Sequence, residues 1–122
     1  MNSAEFRKEL VKIMPGYSWT VHKSSNPTCY QSATGIQSSG FNRLCTLMVI
    51  RTEKNDFVWY EAKSAGSGTK SPWDHTTGGV TLARALRELQ NLYKWTANYS
   101  ASLAARMEAG RKASVAAEPE KQ

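Results

Sequence analysis

The side chains in this 122-residue chain that could carry out chemistry are two histidines, two cysteines, and a lysine in a glycine-rich stretch. Asp74 and His75 stand together after Trp73, an acid beside a base. Residues adjacent in sequence rarely meet in a catalytic geometry, and no nucleophile is marked out for this pair. His22 falls on the polar phase of an alternating segment, where a histidine is solvated. Cys29 and Cys45 are scattered singly, as are the histidines. A zinc site needs paired ligands at short spacing, so no metal is expected. The cysteines are read as small buried apolar residues of strands, and two of them imply no disulfide.

The stretch AGSGTKS at 65–71 has the glycines and lysine of a phosphate-binding loop. That loop needs glycine directly before the lysine and a helix after it. Here Thr69 precedes Lys70 and Pro72 follows. The expected role is a polar linker. No catalytic set and no cofactor emerge, so the chain is expected not to be an enzyme.

Binding residues are easier to find. Trp73 sits in a Pro/Gly-rich loop, and tryptophan is enriched at interface hot spots. Trp73, His75 and Trp95 are the candidate partner contacts. The formal charge is +6, and its excess lies late: Lys63 to Lys112 holds eight basic and three acidic residues. A basic surface attracts polyanions or an acidic protein face. Arg84, Arg87 and Lys94 fall on one side of a helix, preceded by Lys63 and Lys70. Together these five form the candidate phosphate-contacting set. No element carries a recognisable set of base-reading side chains.

The element that must position most of these residues runs from Thr81 to Met107. Leu82, Leu86, Leu89 and Tyr93 recur at steps of four, three and four, with Ala85, Leu92, Tyr99 and Leu103 beside them. This is the period of an α-helix with one apolar stripe. Thr81 is placed to cap it and Gly110 to stop it. Trp95 lies off the stripe. Arg111 to Gln122 reads as a frayed or disordered tail, so the domain is expected to span 1–110.

Something earlier must cover the stripe. Asn2 or Ser3 can cap a short helix with Phe6, Leu10 and Ile13 on one side, ended by Pro15-Gly16. Tyr17 to His22 alternates as a strand, Cys29 to Ile36 is a weaker one, Arg43 to Arg51 is the central one, and Phe57 to Lys63 returns from a polar hairpin. Ser64 to Val80 reads as a long polar loop. Short connections argue for an antiparallel meander. The expected fold class is α+β: a three- to four-stranded antiparallel sheet flanked by a short N-terminal and a long C-terminal helix. The opening MNSAEFRKEL has no apolar signal region, and no apolar run approaches the ~20 residues of a membrane span. A cytoplasmic protein is expected, with no membrane partner.

The strands at Arg43–Arg51 and Phe57–Lys63, then AGSGTK and TLARALRELQNLY, resemble the double-stranded-RNA-binding domain in topology. That resemblance implies phosphate contact by Lys70, Arg84 and Arg87. The chain lacks the lysine pair expected at the helix start, and its helix runs longer. The segments FRKELVKIMPGYSWTVHK, ATGIQSSGFNRL, YEAKSAGSG and GVTLARALRELQNLY resemble, over about 5 to 110, small early-region accessory proteins of temperate bacteriophages. This implies a non-catalytic protein that binds and inhibits or modulates a host protein or nucleoprotein complex, in the manner of anti-CRISPR proteins. Direct nucleic-acid binding is the alternative. Either a monomer or a homodimer is compatible with the sequence.

Overall fold

A computed structural model describes residues 1–66 and 73–121, with side chains described outside 113–121. The elements are α1 (Ser3–Ile13), β1 (Ser18–Val21), β2 (Tyr30–Ser39), β3 (Asn42–Lys54), β4 (Phe57–Ala65), β5 (His75–Gly79) and α2 (Leu82–Lys121). The chain forms two compact units, Met1–Gln90 and Asn91–Gln122.

The first unit is α+β, and its strands form one antiparallel sheet in the order β1-β2-β3-β4-β5. β3 is central, as its apolar residues on both phases lead one to expect. The connections confirm the meander. At Asn55-Asp56 both residues have positive φ (53° and 64°) and join Lys54 to its register partner Phe57. Two such residues give a turn whose twist matches that of the strands, and Asn and Asp tolerate it best after glycine.

The fifth strand departs from the expectation of three to four. His75–Gly79 lies within the stretch read as a loop, where Thr-Thr-Gly-Gly has no apolar alternation. Tertiary pairing makes it a strand: Ala62 registers with Thr77, Lys63 with Thr76 and Ser64 with His75. An edge strand needs only one neighbour to satisfy half of its backbone groups, so weak local propensity is overridden.

Register sorts the strand residues onto two faces. Trp19, Ala33, Leu47, Val49, Tyr60 and Ala62 share one face and pack with Phe6 and Leu10 of α1 and Leu82, Ala85, Leu86 and Leu89 of α2. This covered face is the core. α1 is capped by Asn2, whose side chain accepts the Glu5 N–H at 2.8 Å. α2 begins after Thr81, whose Oγ1 accepts the Arg84 N–H at 3.2 Å. Thr77 ties β5 to α2 by donating its hydroxyl to the Ala85 carbonyl at 2.8 Å.

The second unit is helical. Thr96 donates its hydroxyl back to the Leu92 carbonyl at 2.8 Å, and Glu108 pairs with Arg111 and Lys112. Two readings differ here. The apolar stripe is buried through Leu89, whereas Tyr93, Tyr99 and Leu103 are exposed. Gly110 does not end α2, which runs as helix to Lys121 through the stretch expected to be a tail; one glycine costs a helix only about 1 kcal/mol. Cys29 also differs: it precedes β2 and is exposed, while Cys45 in β3 is half-buried, and both thiols are free. No described helix is long and apolar enough to cross a membrane.

Candidate binding face

Within the first unit, Lys63 falls in a different layer from Arg84 and Arg87. Lys63 is on β4, half-buried, with its Nζ 3.5 Å from Glu61 Oε1. It shares its register phase with Trp59 and Glu61, which is the face away from the core. Arg84 and Arg87 are exposed on the first turns of α2, in the layer that covers the opposite face. The thickness of the sheet therefore separates Lys63 from the two arginines. Lys70 lies outside the described residues. Lys94 and Trp95 belong to the second unit, where Trp95 is exposed and stacks on Tyr99 with ring centroids 5.4 Å apart and planes 6° apart.

Trp73 and His75 bracket the start of β5. Trp73 is exposed. The Asp74 N–H donates to the Ser64 carbonyl at 2.8 Å, which fixes the entry to the strand. His75 is half-buried opposite Ser64, on the covered phase. His22 bonds Thr34 Oγ1 at 2.7 Å near the other edge of the sheet. Among the described residues, no three His, Cys, Asp or Glu side chains cluster as metal ligands. A concavity of about 640 Å³ between the start of α1 and Pro27-Thr28 holds one carboxylate, Glu5, and neither histidine nor cysteine.

A different surface emerges from the register. The phase opposite the core carries Thr20, then Tyr30, Ser32, Thr34 and Ile36, then Thr46, Met48, Ile50, Thr52 and Lys54, then Phe57, Trp59, Glu61, Lys63 and Ala65, then Thr76 and Gly78; Ser32, Thr46 and Ala65 are buried on it, and the exposed part lies toward the Tyr30 and Phe57 end. Neither helix of the first unit packs there, because both are committed to the core face. A sheet with helices on one side leaves the other to solvent. Three aromatics cluster at one end of this open face: Tyr30, Trp59 and Phe57 are 43%, 40% and 57% exposed. Tyr30 and Trp59 flank Thr52 in one row across three strands. Phe57 and Trp59 stack, with planes 16° apart and centroids 6.3 Å apart.

Sequence reasoning missed this face. Both phases of Phe57 to Lys63 contain aromatic residues, and the pattern alone left them open. One signal was present. The phase Val58, Tyr60, Ala62, Ser64 bears no charge, whereas Phe57, Trp59, Glu61, Lys63 ends in two charges. A charged phase belongs outside, and it takes Phe57 and Trp59 with it.

With this geometry in view, comparison with known proteins returns no match: no protein family, no curated protein and no solved structure is significantly similar to the chain.

Proposed function

We propose that this is a non-catalytic binding protein whose contact surface is the face of its sheet opposite the core, and that it modulates or inhibits a host protein or nucleoprotein complex. The observation that carries the reading is the exposed cluster of Tyr30, Phe57 and Trp59 on one face of the five-stranded sheet. Large aromatics desolvate a partner surface at little entropic cost, which makes them interface anchors. A role of this kind suits the phage accessory proteins that the sequence resembles.

Photo-crosslinking in cells that carry the gene tests the reading. A crosslinking residue replacing Thr34 reports on the open face, and one replacing Arg87 reports on the helix layer. A discrete adduct at Thr34 and none at Arg87 is expected. Adducts at Arg87 alone would overturn the proposal. So would duplex binding that persists at near-physiological salt and is abolished by Arg84→Glu with Arg87→Glu, because the contact surface would then be the basic helix face.

A further inference from the structure

We propose that the open sheet face takes single-stranded nucleic acid, with bases stacked on Trp59 and Phe57 and the phosphate backbone running past Lys54 and Lys63. This rests on the open face being the contact surface, and it adds the chemistry of the ligand.

Four features of the face point to that class. The first is ring geometry. Phe57 and Trp59 are nearly parallel and both open to solvent, so they offer π faces to a flat partner. Base–aromatic stacking needs nothing more, and it tolerates any sequence. The second is pre-organisation. Trp59 packs against Gly78 on the neighbouring strand, where an added Cβ would lie 2.5 Å from Cζ2 and 2.9 Å from Nε1. The indole is thus seated on the sheet, with β5 as its floor. Tyr30 stands two strands away in the same row, roughly 10 Å off at the usual strand spacing, and can receive a further base.

The third feature is charge. The open phase of the strands carries Lys54 and Lys63 against Glu61 alone, in a chain of formal charge +6. Lys63 is held by Glu61 at 3.5 Å and half-exposed, and such a pair exchanges readily for a phosphate because exposed ion pairs contribute little. Thr20 and Thr76 add hydroxyls on the outer strands of the face, whereas Thr34 is bonded to His22 and Thr52 donates to the Trp59 carbonyl. An uncharged ligand that stacks on rings, such as a sugar, would have no use for the lysines. The fourth is breadth. Five strands span about 19 Å, whereas the major groove of a DNA duplex is about 12 Å wide. A flat face of that width cannot enter a groove to reach stacked bases. A single strand, with its bases free, can lie across it.

The test is fluorescence anisotropy of labelled oligothymidylate, oligouridylate and a short duplex, at low and near-physiological salt. Wild type is expected to prefer the single strands. Trp59→Ala should weaken them by about tenfold to a hundredfold, the loss of one base stack. Trp59→Phe keeps a ring and should retain much of the binding; circular dichroism checks that each variant is folded. Gly78→Ala, which displaces the indole without removing it, should also weaken binding. Lys54→Gln and Lys63→Gln should each flatten the salt dependence by roughly 0.7 in slope, while Arg87→Glu should change the single-strand preference little.

Equal binding by wild type and folded Trp59→Ala, or a preference for duplex, overturns the inference. If oligonucleotides do not bind but the Thr34 position captures a protein, the single-strand inference fails and the open face stands as the contact surface. If Thr34 captures nothing and oligonucleotides do not bind, both fail.

Discussion

The indole of Trp59 packs against Gly78 so closely that a Cβ on the glycine would stand 2.5 Å from its Cζ2. Two adjacent strands are thereby matched, an aromatic on β4 and a bare backbone on β5. Gly78→Ala must push the ring off the sheet, and overpacking of this kind costs about 1–3 kcal/mol. Trp59→Ala removes the clash, so the same glycine substitution in that background should cost well under 1 kcal/mol. Urea unfolding of the four proteins measures the difference. An equal cost in both backgrounds would mean that Trp59 does not rest there.

A second Trp–Gly contact lies on the covered face. Trp19 and Gly35 are direct register partners, and three ring atoms come within 2.8 Å of where a Gly35 Cβ would be. Trp19 is 6% exposed and its indole N–H donates to the Met14 carbonyl at 3.0 Å. This ring has nowhere to go. Gly35→Ala is expected to destabilise more than Gly78→Ala does, by about 3 kcal/mol, read as a shift of the denaturation midpoint. A smaller loss than at Gly78 would contradict the idea that burial fixes the ring.

Gln31 is 1% exposed, and neither atom of its carboxamide finds a hydrogen-bond partner among the described residues. Its register partner Arg51 is also buried. The arginine reaches the Thr28 carbonyl at 3.4 Å and Glu53 at 3.2 Å, leaving its Nε unpartnered. A buried polar group without a partner costs about 1–3 kcal/mol. Gln31→Met keeps the volume and removes the polar atoms, so thermal unfolding should show a gain of roughly 1–2 kcal/mol. A loss of stability would show that the carboxamide is satisfied.

Thr81 accepts the Arg84 N–H through Oγ1, and the Ala85 N–H bonds its carbonyl at 3.1 Å. This cap starts the helix that carries Leu82, Leu86 and Leu89 into the core. Thr81→Ala should cost about 1 kcal/mol and Thr81→Ser almost nothing, with calorimetry as the readout. Equal melting temperatures for Thr81→Ala and wild type would remove the cap from the account.

Much of the first unit could be read from local chemistry. Asn2 and Thr81 have the side chains that cap helices, and both do so. Pro15-Gly16 ends α1 because proline cannot continue a helix. Leu82, Leu86 and Leu89 keep one helical phase, and that phase is the buried one. β5 was not legible, since Thr76 and Thr77 carry no alternation and become a strand only beside Ala62 and Lys63. The separation of Lys63 from Arg84 and Arg87 was not legible either. Charges close in sequence say nothing about which layer of the fold each occupies.

The candidate face shows where the division falls. By itself the sequence determined the types and order of most elements, because helix period, caps and turn residues act through neighbours a few positions away. It also determined that each strand has two phases, since side chains alternate with period two. The phase of β4 that meets the helices was decided by tertiary structure: Tyr60 and Ala62 pack with α1 and α2, which leaves Phe57 and Trp59 exposed and Lys63 half-exposed. Alternation is a local property of the backbone. Choosing a face requires the core to bury one phase and water to keep the other, and that choice is made only when the layers meet.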